Sequence, residues 1–163
     1  MFKRIEPKPG QESVWDYPRP PRLEPSTKHI QVIFNGITLA DSTKTYRVLE
    51  TSHPPGYYIP ATDIKMEYLT LSPRQTFCEW KGVARYYTLL AEDRKIPNVG
   101  WNYPSPTERF AALKDCIAFY PSLLDACYVD GERVQAQEGD FYGGWITNDI
   151  VGPFKGGMGT LSW

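Results

Sequence analysis

The densest group of reactive side chains lies in residues 78–87, which read Cys-Glu-Trp-Lys-Gly-Val-Ala-Arg-Tyr-Tyr. The segment combines a thiol, an ammonium, a guanidinium and three aromatic rings. A cysteine attacks as the thiolate, which a neighbouring cation such as Lys81 or His53 stabilises. These residues therefore permit thiol-dependent catalysis, with Cys78 as nucleophile, His53 as base and Glu50 as the group that orients His53.

Each of these residues also has a structural interpretation. A free cysteine such as Cys78 is often a small buried hydrophobe, and Lys81 precedes a glycine where a hairpin turn is expected. His53 stands before two prolines and can hydrogen-bond the rigid turn that they form. No spacing fixes the distances between Cys78, His53 and Glu50, so both interpretations stay open from the sequence.

Aromatic content gives the second functional signal. Aromatic residues make up 14% of the chain, including eleven Tyr and five Trp. Tyr and Trp combine a large apolar area with a polar tip, which suits cores, pockets and interfaces alike. An aromatic pocket with one cation binds flat molecules that carry a polar or anionic group. We predict a ligand-binding pocket lined by Tyr58, Trp80, Lys81, Arg85, Tyr87 and Trp101. The structural alternative is that these rings form the core.

Short strands and tight turns must position these side chains. Asn35-Gly36 predicts a type I′ hairpin turn, and Asp130-Gly131 predicts a second hairpin. Alternating or β-rich runs predict further strands at 44–49, 57–59, 64–71, 76–80, 83–90 and 117–120. The polar stretch 91–99 is predicted to be a loop. Along 83–90, Arg85 and Tyr87 are expected on one face and Tyr86 on the other.

The remaining segments complete a β-rich fold. Ser105, Pro106 and Glu108 predict a helix start with a capping box, and hence one short helix near 105–115. We predict a Pro-rich arm (1–27) packing on the body, a single β-rich domain (28–138) and a Gly/Trp-rich tail (139–163). The fold class is all-β or β-dominated α+β, as a small curved sheet or sandwich.

Composition excludes several classes of partner. Eighteen basic and nineteen acidic residues give a net charge of −1, without the basic surplus typical of nucleic-acid binding. No segment is long and apolar enough to predict a secretory signal or a membrane span, so we expect a cytoplasmic protein. Three cysteines without CxxC spacing predict free thiols and no metal. No glycine-rich segment has the order of a phosphate-binding loop, and no cofactor is expected.

Four strings carry a resemblance to a known family. They are residues 49–60, residues 78–87, Trp101-Asn102-Tyr103-Pro104 and Ile117-Ala118-Phe119-Tyr120-Pro121. On these, roughly residues 29–130 resemble the domain-of-unknown-function 427 family, which is also labelled nucleotidyltransferase-like. The resemblance implies a small β-rich fold similar to curved two-sheet tent folds, without their paired CxxC zinc ligands. It implies no established catalytic residues. The arm and tail resemble those of a longer variant of the family.

Two classes of function follow from the sequence. The first is a small-molecule-binding domain built on the aromatic pocket, with an enzyme acting on a small metabolite as its extension. The alternative is a homo-oligomeric assembly module, in which the arm and the tail dock on a second copy and bury Trp15 and Trp163.

Overall fold

The computed structural model describes residues 3–139 and 141–163. The strands are β1 (Glu12–Ser13), β2 (Arg22–Ser26), β3 (Ile30–Phe34), β4 (Ile37–Ser42), β5 (Thr45–Leu49), β6 (Gly56–Pro60), β7 (Leu69–Cys78), β8 (Gly82–Ala91), β9 (Arg94–Asn102), β10 (Cys116–Phe119), β11 (Ala126–Val129), β12 (Glu132–Arg133), β13 (Gln135–Ala136), β14 (Trp145–Ile146) and β15 (Ile150–Val151). The helical segments are short 3-10 helices at Val14–Asp16, Ala61–Asp63, Met66–Tyr68, Glu108–Leu113 and Pro121–Leu123. Within the described ranges, no helix is long and apolar enough to cross a membrane.

Two antiparallel sheets form the body. The larger sheet has seven strands in the order β2-β5-β6-β10-β9-β8-β7, and the smaller has four in the order β12-β11-β3-β4. Two short pairs complete the topology: β1 runs parallel to β15, and β13 runs antiparallel to β14. The β-dominated fold class is therefore confirmed.

The central strands of the seven-stranded sheet, such as β6 and β10, are buried on both faces. The alternation of side chains along a strand sends Tyr57 and Ile117 to one face and Tyr58 and Ala118 to the other. The first face packs on the four-stranded sheet and forms the larger apolar core. The second face carries an aromatic cluster with Tyr86, Trp101, Tyr103, Phe110 and Tyr120. We call this second face the aromatic face.

Both predicted hairpin turns are present. Asn35 and Gly36 have φ angles of 52° and 75° and join β3 to β4. Asp130 and Gly131 have φ angles of 50° and 82° and join β11 to β12. Positive φ at both central residues is what a type I′ turn requires, so the residues chosen in the sequence match the backbone.

Three predicted elements differ in detail. The strand predicted at 64–71 contains the 3-10 helix Met66–Tyr68, and β7 begins only at Leu69. The short helix near 105–115 is a 3-10 helix that begins at Glu108, without a capping bond from Ser105. It starts late because the backbone N–H and hydroxyl of Thr107 donate to the carbonyls of Lys81 and Trp80. The prediction of a loop at 91–99 is wrong, because Glu92, at φ 55°, completes the turn in two residues. Strand β9 therefore begins at Arg94.

The arm and the tail pack on the body and on each other. In the arm, β2 is an edge strand of the large sheet, where its proline is tolerated. The Arg47 guanidinium, nearly buried, donates to the carboxylates of Glu12 and Glu24 in the arm. The Trp15 indole N–H donates to the Pro153 carbonyl at 2.8 Å. The predicted arm and tail also include residues 1, 2 and 140, which lie outside the described residues.

Candidate functional site

Two adjoining cavities open on the aromatic face. The larger, which we call the aromatic chamber, has a volume of about 560 Å³. The aromatic residues that line it are Tyr58, Phe77, Trp80, Tyr86, Trp101, Tyr103, Phe141 and Tyr142. The smaller, the polar chamber, has a volume of about 80 Å³ and is bordered by His53, Pro54 and Gln137. The two chambers share a wall made of Glu50, Tyr58, Lys81, Trp101 and Tyr142.

The β7–β8 hairpin places Lys81 in this shared wall. Cys78 pairs with Gly82, so residues 79–81 form a three-residue turn. Gly82 has a φ of 109°, a backbone conformation that glycine adopts without strain. Thr107 then fixes the turn, because its N–H donates to the Lys81 carbonyl at 3.2 Å and its hydroxyl to the Trp80 carbonyl at 2.7 Å. These hydrogen bonds hold the turn in place, and the Lys81 side chain is buried.

Lys81 is a buried cation surrounded by rings. Its exposed fraction is 7%, and Nζ lies 5.6 Å from the ring centroid of Tyr103 and 5.9 Å from that of Phe110. In the described part of the chain, no carboxylate oxygen lies within 4.0 Å of Nζ. Burial lowers the pKa of Lys81, but Tyr58, Cys78 and Glu50 together raise it by more than burial lowers it. The pKa of Lys81 therefore lies above its usual value. The ammonium therefore stays charged at neutral pH.

The aromatic wall is rigid, and its buried phenols are neutral. Trp101 lies at its centre, 4.7 Å from the ring centroid of Tyr120, and its indole N–H donates to the Tyr58 hydroxyl at 3.2 Å. Burial raises the pKa of both Tyr58 and Tyr103 above the ordinary value for tyrosine. Both phenols therefore keep their proton at neutral pH.

His53 borders the polar chamber with its tautomer set by its neighbours. Its Nδ1 lies 2.9 Å from the Thr51 carbonyl oxygen and 3.8 Å from Oε2 of Glu50. A carbonyl oxygen only accepts, so the proton of the neutral ring is on Nδ1 and Nε2 carries a lone pair. Burial lowers the pKa of His53, assisted by Lys155 and Arg19 and opposed by Glu50. The ring is therefore neutral at pH 7.

The charges around the chambers are predominantly positive. Glu50 is paired with Arg19 at 3.3 Å, which offsets its charge. Lys155 Nζ lies 5.3 Å from the Tyr142 ring centroid, and the Arg74 guanidinium lies 4.8 Å from that of Tyr86. With Lys81, these cations outweigh Glu50 and the exposed Glu79 of the turn. The local field therefore favours an anionic ligand.

The three cysteines differ in their surroundings. Cys78 lines the aromatic chamber, whereas Cys116 and Cys127 are buried. Burial raises the pKa of Cys116 to about 11 and that of Cys127 to about 12. Cys78 is thus the thiol with access to a ligand. Among the described residues, no hydrogen bond joins Cys78 to His53, so a Cys–His nucleophile is not assembled here.

The structure divides the predicted ligand-binding residues between two faces. Tyr58, Trp80, Lys81 and Trp101 converge on the aromatic chamber. Arg85 and Tyr87 lie on the opposite face of the same sheet, where they line a separate cavity of about 250 Å³. The alternation along β8 was predicted correctly, and the aromatic chamber lies on the face of Tyr86, opposite that of Arg85. Of the predicted candidates, Glu50 borders both chambers, whereas His53 borders only the polar chamber and Cys78 only the aromatic chamber.

Several lining residues have no place in the predicted set. Tyr103 is two residues after Trp101 and shares its face by strand alternation, so a period of two could have identified it. Phe141 and Tyr142 come from the tail and give no such signal. Tyr142 reaches the site because the Tyr120 hydroxyl donates to the Phe141 carbonyl at 2.7 Å, and its ring lies 4.8 Å from that of His53.

No group of three or more His, Cys, Asp or Glu side chains that could hold a metal ion occurs within residues 3–139 and 141–163. The charged and polar groups of the site are one ammonium, one imidazole, the carboxylates of Glu50 and Glu79, the amide of Gln137 and several phenols. Such a set suits the recognition of an organic ligand by hydrogen bonds and charge.

The comparison with protein families agrees with the strings in the sequence. A family model described as Domain of unknown function (DUF427) matches residues 22–130, which is more than half of the chain. No curated protein matches the chain. The matched range includes β2 to β11 and with them Lys81, His53 and most of the aromatic wall, whereas Phe141 and Tyr142 lie beyond it. The chain belongs to the DUF427 family.

Proposed function

We propose that this protein binds a small molecule that has a flat ring and an anionic group. The ring lies in the aromatic chamber, against Trp101 and Tyr103, and the anionic group meets the ammonium of Lys81. One observation carries the proposal: Lys81 is a charged group at 7% exposure, with no carboxylate within 4.0 Å in the described part of the chain. Glu50 raises the pKa of Lys81 but is itself paired with Arg19 at 3.3 Å, so an anionic ligand would supply the direct counter-ion that a buried charge favours.

The dimensions and lining of the chamber support a ring-bearing ligand. Its volume of about 560 Å³ falls within the range of about 300–1,000 Å³ that ligand pockets occupy. The rings of Tyr58, Trp101 and Tyr103 are fixed by mutual contacts at 6.2 Å and by the bond from Trp101 to Tyr58. Fixed aromatic walls bind a planar ligand with little loss of side-chain entropy.

A pair of probes that differ only in charge tests this proposal. Indole-3-acetate and indole-3-acetamide have the same ring and nearly the same shape, so a site that uses Lys81 as a counter-ion prefers the acid. We expect isothermal titration calorimetry to show tighter binding of indole-3-acetate, and this preference to disappear in Lys81→Met. Equal affinities for the two probes in the wild type would contradict the proposal.

Arg85→Met is the matched control for this experiment. It removes a cation of similar length from a nearby position, but its side chain faces the opposite side of the sheet. We expect Arg85→Met to bind indole-3-acetate as the wild type does. If Arg85→Met and Lys81→Met weaken binding equally, the effect is one of net charge and not of the chamber.

The assembly hypothesis makes a different demand on the arm and the tail. Within one chain, the rings of Trp15 and Trp163 already lie 5.3 Å apart, and β1 pairs with β15. Analytical ultracentrifugation of Trp15→Ala tests this hypothesis. A wild-type oligomer that dissociates in Trp15→Ala, with indole-3-acetate binding unchanged, would support assembly through the arm. A monomer in both would exclude it.

A further inference from the structure

The polar chamber contains a base that ligand binding alone does not use. His53 presents Nδ1 to the Thr51 carbonyl, so its Nε2 carries the available lone pair. In the part of the chain that is described, two solvent-inaccessible side-chain N or O atoms have no hydrogen bond, and both are hydroxyls, of Thr45 and Ser52. Nε2 of His53 has no hydrogen bond within the described residues and is not among these solvent-inaccessible atoms, and the His53 side chain lines the polar chamber. A neutral, oriented imidazole facing a cavity is the usual form of a general base.

The neighbours of His53 suit a ring that gains and loses a proton. Oε2 of Glu50 lies 3.8 Å from Nδ1 and stabilises the imidazolium that forms when Nε2 takes a proton. Lys155 and Arg19 favour the neutral ring, so the proton is not retained. The edge of the ring packs on Tyr142 at 4.8 Å, which fixes its plane. The base, its orienting carbonyl and its supporting carboxylate are therefore assembled without any ligand.

The relation of the two chambers specifies which substrate this base can reach. Lys81 borders both chambers, whereas His53 borders only the polar chamber. A ligand whose ring lies in the aromatic chamber and whose acid group meets Lys81 in the shared wall therefore holds the atoms between its ring and its acid group at the boundary with the polar chamber, on the side of His53. The polar chamber, at about 80 Å³, admits only a few atoms. The reacting atom is thus close to the acid group.

We infer that His53 is the general base of a proton-transfer reaction in this site and that its substrate is an aryl 2-oxo acid, an inference that rests on the proposed binding function. Nε2 takes a proton from the carbon between the ring and the ketone. The C–H electron pair becomes the new C=C bond, and the carbonyl π pair moves to oxygen. Lys81, which meets the acid group, also stabilises the resulting oxyanion, because the ketone carbon of a 2-oxo acid is bonded directly to the carboxylate carbon. The imidazolium then returns the proton to oxygen or to carbon, so the reaction is a keto–enol tautomerisation that consumes no oxidant or reductant.

Hydrogen–deuterium exchange tests this inference directly. Indole-3-pyruvate has the ring, the acid and the enolisable methylene, and ¹H NMR in D₂O follows the loss of its methylene signal. We expect the wild type to accelerate exchange above the buffer rate, and His53→Gln to lower the protein-dependent rate by about 100-fold or more, the usual contribution of a general base. The protein-dependent rate rises with pH as His53 loses its proton and then reaches a plateau.

Controls separate catalysis from binding and from folding. His29→Gln is the matched variant, because His29 is the other histidine of the chain and pairs with Asp41 at an exposed position. It should exchange as the wild type does. Binding of indole-3-acetate by His53→Gln reports that this variant is folded with an intact aromatic chamber. If His53→Gln does not fold, His53→Asn is used in its place. The imidazole ¹⁵N shifts of the wild type then show whether Nε2 is unprotonated at pH 7.

The outcomes distinguish failure of the inference from failure of the proposed function. Wild-type protein that binds indole-3-acetate but exchanges indole-3-pyruvate only at the buffer rate would overturn the inference and leave the binding function in place. Full exchange by a folded His53→Gln, or a protonated Nε2 at pH 7, would do the same. Absence of binding for both acids would overturn the proposed function and the inference with it.

Discussion

Replacing Lys81 with methionine separates the contribution of its charge from that of its packing. Methionine has nearly the same length and keeps an apolar contact with the rings of Tyr103 and Phe110. The variant loses two cation–π contacts, at 5.6 and 5.9 Å, which contribute about 0.5–2 kcal/mol in such surroundings. It also loses the cost of holding a charge at 7% exposure. We therefore expect the free energy of unfolding to change by no more than about 1–2 kcal/mol, in either direction.

The effect of Lys81→Met on binding should be much larger than its effect on stability. A hydrogen bond to a charged group contributes about 1.5–3 kcal/mol, and each 1.4 kcal/mol is a tenfold change in affinity. Indole-3-acetate should therefore bind Lys81→Met about 10- to 150-fold more weakly. Indole-3-acetamide should be affected much less, because it has no charge to pair with the ammonium.

Calorimetric titration at two salt concentrations is the assay, with urea unfolding as the measure of stability. Because the ammonium is buried, the preference for the acid should persist in 0.5 M salt, which screens exposed pairs at distances beyond about 4–5 Å. A loss of several kcal/mol in unfolding free energy with unchanged discrimination between acid and amide would refute the role given to Lys81. It would make Lys81 a structural residue of the turn.

Three further predictions concern the thiols, the imidazole and the tail. Iodoacetamide at pH 8 should alkylate Cys78 before Cys116 and Cys127. The pKa values of Cys116 and Cys127, about 11 and 12, leave about one thiol in a thousand or fewer ionised at this pH. Mass spectrometry measures the labelling, and equal labelling of the three cysteines in the folded protein would contradict this prediction. Because burial lowers the folded-state pKa of His53 below the ordinary histidine value of about 6.5, the folded protein binds fewer protons there. The free energy of unfolding should therefore fall as pH drops through 6.5 towards the folded-state pKa, and His53→Gln should flatten this fall in urea titrations; an identical pH dependence in both proteins would exclude it. Tyr142→Ala removes a wall common to both chambers, so it should weaken indole-3-acetate binding by about tenfold, within the range expected of an interfacial aromatic side chain; calorimetry that shows unchanged affinity would place the ligand away from the tail.

Local signals in the sequence predicted the parts of the fold that depend on neighbouring residues. The two hairpins follow from Asn35-Gly36 and Asp130-Gly131, because the positive φ angles that these turns need are available to few residue types. Strand β9 was missed because its first residues are polar and exposed, so the run looks like a loop until Val99. Its turn depends on Glu92 in a left-handed conformation, for which the sequence gives little warning.

The candidate site was predictable only in part, because some of its residues are brought together by contacts between segments that are distant in sequence. Alternation placed Arg85 and Tyr86 on opposite faces, but apolar residues and cavities occur on both faces, so periodicity alone could not select the face of the aromatic chamber. Trp101 and Tyr58 were found because aromatic residues beside turns are conspicuous. Tyr142 was not, because its position depends on a tail that folds back across the sheet. Contacts of this kind join residues distant in sequence and leave no local pattern.

The central claim is that Lys81 is the counter-ion of an aromatic anion, and a crystal structure with indole-3-acetate tests it most directly. We predict a carboxylate oxygen at about 2.7–2.9 Å from Lys81 Nζ, the usual length of a charge-assisted hydrogen bond, with the indole ring between Trp101 and Tyr103. Indole-3-acetate bound in the cavity of Arg85 on the opposite face, or a carboxylate turned away from Lys81 towards solvent, would contradict the claim.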